Sequence, residues 1–449
     1  MSKIIRIANG QGFWGDSLQA PIDLIKKSNI DYLTLDYLAE VTMSIMQKQK
    51  NKNPKLGYAY DFVDFIELVA NHLKNKEVKI ITNAGGVNPY ECAKQIKKTL
   101  DNLNISKKIA VIEGDNITSD IKDYFNNGID FISMEDNTSI KPILDRIYSA
   151  NVYIDSFCIK EALKLGADIV LCGRVSDPGL CVGPTLYEFN WTKTDYNKIA
   201  SATLAGHIIE CGAQATGGNH TNWKTIPNLK NVGYPIAEIK ENGDFYITKD
   251  LNTGGIVNKQ TVCEQILYEM GDPKKYISPD VCVDFTTFKI KESEKNKVFI
   301  SEVKGSAPTD TLKVAVNYFN GYKAVGQLTI SGPSAYEKAR YTAELIWSRL
   351  KDLDCTFQKF NTEYLGLSSC TKDILPAPNR INEIVLRLSV IDNDRMKVKR
   401  FGEEIAPVIT NGPPGITGFS GGRPKPQEVI SYFPTLIDRD LIKTKIRII

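Results

Sequence analysis

Short apolar runs alternate with amphipathic segments over roughly the first half of the chain. Six of these runs predict strands, and they are apolar throughout, as expected for a parallel sheet that helices cover on both faces. Amphipathic stretches follow most of the runs and predict helices, so the alternation is typical of an α/β fold with a parallel sheet flanked by helices. The predicted strands are KIIRIA, DYLTLD, VKIITNA, KIAVIEG, ANVYID and ADIVLCG.

A different pattern begins near residue 230. Two segments alternate apolar and polar residues around Asn242-Gly243 and Asn320-Gly321, and both predict hairpins. A helix, a strand and a second helix follow, which favours an α+β domain that ends in a Gly- and Pro-rich loop. The sequence therefore predicts an α/β domain over residues 1–225 and an α+β domain over residues 230–449.

The segment after the first predicted strand, NGQGFWGDS, contains the spacing G-x-G-x-x-G, which is typical of dinucleotide binding. Asp36, at the end of the next predicted strand, lies about where such enzymes place a ribose-binding acid. However, the cap-type residue Asp16 and the proline Pro21 predict that the helix begins near Pro21, after the glycines. A substrate-facing loop is then favoured over a nucleotide cradle, and a simple tight turn stays open.

The loops after the other predicted strands are also rich in Gly, Asn, Asp and Arg, and the carboxyl ends of parallel strands meet at one edge of a sheet. Arg174 could bind a carboxylate or phosphate, or it could pair with Asp177 and stiffen its loop. Asp36 could instead cap a helix. The predicted substrate-binding residues are Asn9, Gly10, Gly12, Trp14, Asp16, Asp36, Asn83, Gly85, Gly86, Arg174, Asp177 and Arg423.

The segment AGHIIECGAQATGGNH supplies the candidate acid/base residues. His207 and Glu210 are three residues apart and share a face if the segment is helical, and His220 follows a glycine turn. We expect proton transfer from His207, Glu210 or His220, with a packed or capping histidine as the alternative. A metal site that includes Cys211 does not match the spacing of structural zinc modules, so no metal is predicted.

Composition excludes several classes of function. The chain has 449 residues and a net charge of +3 without a basic block, so neither nucleic acid nor an acidic membrane surface is an expected partner. Nine cysteines without a C-x-x-C pair indicate reduced thiols. The N-terminus enters a strand without a leader pattern, and no apolar run approaches the roughly 18 residues of a membrane span. We therefore expect a cytoplasmic protein.

Ordered motifs occur along nearly the whole chain: IRIANGQGFWGDS, DYLTLDYLAEVTMSIM, ITNAGGVNP, CGRVSDPGL, AGHIIECGAQATGGNH, GYPIAEI, NTGGIV, EQILYEMGDP and NGPPGITGFSGGRP. Taken together, these motifs resemble the acyclic terpene utilisation AtuA family. This resemblance implies a role in the catabolism of acyclic terpenes through branched acyl-CoA intermediates. Many members carry a small C-terminal ferredoxin-fold domain, and this chain ends before one, so we expect any function of that domain either to be absent or to come from a small ferredoxin-fold partner chain.

These observations favour an enzyme that acts on an organic acid or acyl-CoA by lyase or hydration-type acid/base chemistry. The sequence requires no bound cofactor, and a CoA thioester is compatible as substrate. Two alternatives stay open: a non-catalytic binding or assembly subunit that works with a separate small domain, and an NAD-dependent oxidoreductase. A homo-oligomer also stays open.

Overall fold

The chain folds into two units in the computed structural model, which describes residues 3–367, 369–370, 381–418 and 421–449. Unit 1 comprises Met1–Asn317 and Tyr432–Ile449, and unit 2 comprises Tyr318–Ser431. These units do not coincide with the predicted division at residues 225–230. That division stays a prediction about independently folding domains.

Helices and strands both contribute substantially, which confirms the α/β class. The helices are α1 (Gln19–Lys27), α2 (Glu40–Lys52), α3 (Tyr60–Asn75), α4 (Pro89–Asn102), α5 (Ile121–Asn126), α6 (Phe157–Lys164), α7 (Gly179–Glu188), α8 (Tyr196–Glu210), α9 (Lys259–Leu267), α10 (Ala335–Asp352), α11 (Arg395–Ile405) and α12 (Val408–Asn411). Across the described residues, no helix is both long enough and apolar enough to cross a membrane.

The strands follow the same chain order. They are β1 (Ile4–Asn9), β2 (Tyr32–Leu35), β3 (Lys79–Thr82), β4 (Ile109–Glu113), β5 (Ile147–Val152), β6 (Ile169–Cys172), β7 (Pro235–Lys240), β8 (Phe245–Lys249), β9 (Tyr276–Ile277), β10 (Cys282–Asp284), β11 (Lys289–Glu294), β12 (Lys297–Ser301), β13 (Lys304–Ser306), β14 (Thr311–Ser331), β15 (Lys359–Leu365), β16 (Glu383–Asp392), β17 (Gln427–Asp438) and β18 (Lys445–Ile448).

A large mixed sheet organises unit 1, in the order β11-β12-β8-β7-β1-β2-β3-β6-β4-β18. Its central strands, from β1 to β4 in that order, pair in parallel, whereas β7 and β18 join antiparallel on either side. β2 and β6 are buried at every position, which is why their sequences lack the alternation of a half-exposed strand. The predicted strand ANVYID is the exception, because β5 pairs with β14 and lies outside this sheet.

One hydrophobic core lies between this sheet and the helices that follow its first strands. Phe62 and Phe65 of α3 stack with ring centroids 6.1 Å apart, and Ile96 of α4 belongs to the same buried cluster. Burying a large side chain of this kind stabilises a fold by about 1.5–3 kcal/mol. The sheet and its helices therefore form a rigid support for the loops at the strand ends.

The two predicted hairpins have different outcomes. Asn242-Gly243 lies in the turn between β7 and β8, which pair antiparallel, so this prediction is confirmed. Asn320-Gly321 lies inside the continuous strand β14, so that prediction is wrong. The physical reason is the partner strand: β16 pairs with β14 from Tyr322 to Ser331, so the two flanks do not fold onto each other.

Unit 2 contains helices that pack on a sheet in which β16 pairs antiparallel with both β14 and β15. The strand order is β15-β16-β14-β17, and apolar residues of α10, α11 and β16 share a buried cluster that includes Ile346, Leu386 and Phe401. Burial alternates along β16, which shows that one face of this strand packs toward the helices. The GFSGGRP run of this unit is described only in part, because Phe419 and Ser420 lie outside the described residues.

Candidate functional site

The loops after β1, β2 and β3 meet at one edge of the parallel sheet of unit 1. Asn83 Nδ2 donates to Asp36 Oδ1 at 2.6 Å, and Asn83 Oδ1 accepts from the Tyr37 amide at 2.7 Å. Asn9 Nδ2 donates to the backbone carbonyl of Glu210 at 2.9 Å. The structure therefore brings together predicted residues from three strand ends and from the end of α8.

Arg174, in the loop after β6, is almost completely buried, at 1% exposure. Its Nη1 donates to Asp177 Oδ1 at 2.5 Å and to the Leu38 carbonyl at 2.9 Å, and its Nη2 donates to the Tyr153 hydroxyl at 2.8 Å. The guanidinium also lies 4.2 Å from the centre of the Tyr153 ring. The Arg174–Asp177 pair is thus formed, and most of the guanidinium donors are already used by the protein.

Tyr153 extends this network to a second ion pair. Its hydroxyl donates to Glu40 Oε1 at 2.8 Å, and Lys313 Nζ lies 3.4 Å from the same oxygen. Burial by itself would raise the pKa of Glu40, but the charge of Arg174 and the hydrogen bond from Tyr153 outweigh it and lower the pKa to about 2. Glu40 is therefore ionised at neutral pH.

A cavity of about 370 Å³ opens beside these charges. Glu40, Asp177 and Lys313 contribute to its wall, and Ser176, which is 5% exposed, adds a hydroxyl that has no hydrogen-bond partner in the described part of the chain. The volume lies within the range of small-molecule sites. The apolar part of the wall includes Met134, Tyr276, Ile277, Pro279, Leu312 and Leu436.

Behind the cavity, the last turn of α8 carries the pair His207 and Glu210. His207 Nδ1 lies 3.1 Å from Glu210 Oε1, and His207 Nε2 lies 3.2 Å from the carbonyl of Ile266. The His207 ring centroid is 5.5 Å from that of Tyr276, which lines the cavity. Helical spacing explains the pair, because residues three apart share a face.

Glu210 combines a raised pKa with an unpartnered carboxyl oxygen. Burial raises its pKa to about 7, and its second oxygen, Oε2, is buried with no hydrogen-bond partner among the described residues. A narrow space lies between Glu210, Asp36 and Asp177, and Asp177 also lines the cavity of about 370 Å³. Burial, and next the charge of Asp177, raise the pKa of Asp36 well above its ordinary value. Three carboxyl groups therefore converge on this space.

The glycine loop has a structural role that the motif alone does not reveal. The Gly12 amide donates to Asp16 Oδ2 at 3.1 Å, and Asp16 Oδ1 accepts from the Tyr234 hydroxyl at 2.8 Å. Asp16 therefore fastens the loop and does not cap α1, which begins at Gln19. A Cβ on Gly10 would lie 2.6 Å from Pro21 Cβ, so this glycine permits close packing. An amide already bonded to a carboxylate is not available to a pyrophosphate.

The remaining predicted residues lie in other surroundings. Trp14 packs edge-on against Tyr60, with ring centroids 5.9 Å apart. A Cβ on Gly85 would lie 2.5 Å from the Cys172 carbonyl. Gly86 lines a second cavity of about 510 Å³ that polar side chains such as Asp115 surround.

His220 and Arg423 do not share hydrogen bonds with the Arg174 network. His220 Nδ1 lies 2.7 Å from Glu264 Oε2, on α9. Arg423 belongs to unit 2, where it is exposed and lines a basic groove with Arg395 and Lys399. The described residues contain no group of three or more His, Cys, Asp or Glu side chains arranged to hold a metal ion.

Sequence reasoning missed several residues of this site. Tyr153 belonged to a run interpreted only as a strand, and Lys313 and Tyr276 come from segments without a recognised motif. A buried tyrosine beside an arginine carries no signature in a single sequence, because the pairing depends on elements far apart in the chain. Residues 153 and 313 lie far apart in the sequence, so motif spacing could not have revealed that they belong to one site.

Comparison with known proteins gives one match. Residues 5–448 match the family model described as "Acyclic terpene utilisation family protein AtuA". No curated protein and no solved structure matches the chain.

Proposed function

We propose, since the chain belongs to the acyclic terpene utilisation family AtuA, that it is an enzyme of acyl-CoA or organic-acid catabolism. We propose acid/base chemistry of the lyase or hydration type for its reaction. The observation that carries this proposal is the unpartnered Oε2 of Glu210, on a buried carboxyl whose pKa is about 7. This carboxyl borders the narrow space whose wall shares Asp177 with the cavity. A general acid or base works best when its pKa lies near the working pH.

The cavity supports a substrate that is polar at one end and apolar at the other. Lys313 and the free hydroxyl of Ser176 are donors for a carboxylate or thioester oxygen, whereas Leu312 and Ile277 suit a hydrocarbon tail. Arg174 is engaged with Asp177 and Tyr153, so we propose that it holds these side chains in the wall. Its contact with a substrate anion stays a prediction.

Several predicted roles belong to the same proposal. Asn9, Asp36 and Asn83 would shape the floor of the site, since Asn83 bonds to Asp36 and Asn9 bonds to the carbonyl at the end of α8. The glycine loop would form part of the wall of the site without donating to a substrate anion from the Gly12 amide, because that amide already bonds to Asp16. The roles predicted for His220 and for Arg423 stay predictions.

The test begins with a panel of free acids and CoA thioesters that differ in tail length and branching, incubated with the purified protein and followed by mass spectrometry. With a converted compound in hand, Glu210→Gln should lower kcat by about 10²–10⁴-fold, the usual contribution of general acid/base catalysis. Glu363→Gln is the matched control, because Glu363 pairs with Arg387 in unit 2 and lines no part of the cavity. Full turnover by Glu210→Gln would exclude this role for Glu210.

The same material tests the two alternatives. A stoichiometric small protein that copurifies, together with no turnover by this chain alone, would favour a binding or assembly subunit. Quenching or enhancement of NADH fluorescence on titration would favour an oxidoreductase, whereas the Asp16 bond to the Gly12 amide predicts no change.

A further inference from the structure

The ring of His207 is held on both of its nitrogen atoms. Nε2 lies 3.2 Å from the Ile266 carbonyl, and Nδ1 lies 3.1 Å from Glu210 Oε1. The imidazole is 2% exposed and lies against the rings of Tyr276 and Phe285, with centroids 5.5 and 5.6 Å away. The ring is therefore enclosed, and rotation would break both contacts.

The Ile266 contact determines where one proton lies. A carbonyl oxygen only accepts hydrogen bonds, so Nε2 must carry a hydrogen. α9 ends at Leu267, and the carbonyls of the last helical turn need donors from outside the helix. The neutral form of His207 thus has Nε2–H, and its Nδ1 presents a lone pair to Glu210.

The contact between Nδ1 and Glu210 then requires a second proton. A lone pair on nitrogen and an ionised carboxylate oxygen at 3.1 Å would both be acceptors, with no hydrogen between them. The hydrogen bond forms when Glu210 Oε1 is protonated and donates to Nδ1, or when His207 is an imidazolium and donates to the carboxylate. Each form contains one proton between the two side chains and leaves Glu210 Oε2 without a hydrogen.

We propose that His207 and Glu210 hold one shared proton, and that His207 is a positioning residue that lets Glu210 act as a base through Oε2. Only the substrate step of this proposal rests on the proposed function; the shared proton does not. In that step Glu210 Oε2 takes a proton from the substrate, and the proton on Oε1 passes to His207 Nδ1. The bond that breaks is a substrate bond to hydrogen, and the His207–Glu210 pair gains a single positive charge. The reverse transfer returns the proton to the product.

Several charged and titratable groups lie near the pair. The shared proton is consistent with the raised pKa of Glu210, which burial causes, and with the raised pKa of His207, where the hydrogen bond and charge of Glu210 outweigh burial. Negative charge from neighbouring loops further favours proton retention. The groups that face the pair are Asp36, Asp177, Cys181, Cys211, Glu269 and Tyr276.

The test is nuclear magnetic resonance of the full-length protein labelled with ¹⁵N at histidine, without substrate. The chain has three histidines, so His207→Gln and His220→Gln assign the signals. We expect Nε2 of His207 to be protonated throughout the pH range in which the protein is folded, and Nδ1 to share a proton at pH about 7. A neutral ring with hydrogen on Nδ1 and none on Nε2 would overturn the proposal.

Glu210→Gln provides the second measurement. The glutamine amide can still donate to Nδ1, so the ring should keep its orientation and its Nε2–H, but the titration of Nδ1 should move down by about 1–3 pH units because the opposite charge is lost. Glu264→Gln is the matched control, since it removes the carboxylate that bonds His220 and should leave the His207 titration unchanged. An unshifted His207 titration in Glu210→Gln would also overturn the proposal.

These outcomes are separate from those of the proposed function. Normal turnover by Glu210→Gln, with the expected tautomer and titration in the spectra, would disprove the catalytic role and leave the shared proton in place. The wrong tautomer, with turnover lost in Glu210→Gln, would disprove the shared proton and leave the catalytic role in place.

Discussion

Replacement of Arg174 by methionine should destabilise unit 1 strongly. The change removes a buried guanidinium that donates to Asp177, to the Leu38 carbonyl and to Tyr153, and it leaves Asp177 without its counter-charge. Removing one partner of a buried ion pair typically costs about 3–5 kcal/mol. Asp177 is 33% exposed, so solvent partly screens its charge, and we expect a cost near the lower end of that range.

A double-mutant cycle separates the ion pair from the rest of the loss. Asp177→Asn should cost less in the Arg174→Met background than in the parent, because the pair is already broken, and the difference should be about 1–3 kcal/mol. Arg174→Lys should fall between parent and Arg174→Met, since a lysine keeps the charge but its single ammonium lacks the planar fork by which the guanidinium reaches Asp177, the Leu38 carbonyl and Tyr153 together.

Urea unfolding followed by tryptophan fluorescence is the assay. Trp14, Trp191 and Trp223 belong to unit 1 and Trp347 to unit 2, so a Trp347→Phe background limits the signal to unit 1. The shift of the midpoint, multiplied by the slope m, gives the change in the free energy of unfolding. A loss below about 1 kcal/mol for Arg174→Met, or equal costs of Asp177→Asn in both backgrounds, would refute the reasoning.

Three further changes test other parts of the structure. Gly10→Ala should cost about 1–3 kcal/mol, because the new Cβ would lie 2.6 Å from Pro21 Cβ, whereas Gly271→Ala, with no atom within 4 Å, should be near neutral in the same urea assay. Burial, and next the charge of Asp155, raise the pKa of Asp280 to about 7 in the folded protein, above an unfolded value of about 3.9. As the pH rises, Asp280 therefore loses its proton in the unfolded state first. The free energy of unfolding should fall between about pH 4 and about pH 7. Asp280→Asn should remove that part of the slope, and an unchanged slope would show that another group causes it. Lys313→Met should raise KM for an anionic substrate about tenfold and leave KM for its neutral amide nearly unchanged, and equal effects on both would exclude charge recognition by Lys313.

Much of the first sheet could be predicted from the sequence because its signals are local. Fully apolar strands and amphipathic helices reflect burial on both faces of the sheet, and each segment shows this pattern in its own residues. β5 was the exception, because its sequence resembles a parallel strand but its partner is β14, far along the chain. Asn320-Gly321 has the composition of a hairpin turn, yet pairing with β16 decides its structure.

The candidate site shows the same division between local and distant information. The pair His207 and Glu210 could be proposed because helix geometry places residues three apart on one face. The interpretation of the glycine motif as a loop that precedes the helix is confirmed, because α1 begins at Gln19. The Tyr153 hydroxyl and the Ile266 carbonyl could not be placed, because their partners are brought to them only by the completed fold.

The position of β18 has a consequence for protein synthesis. β18 closes the β4 edge of the large sheet, and the Ile109 and Ile449 backbones exchange hydrogen bonds there. Because a ribosome delivers residues in order, β4 emerges more than 300 residues before the strand that covers it. An uncovered strand edge can pair with another chain, so nascent molecules should depend on a chaperone, or on prompt completion, to keep this edge from aggregating.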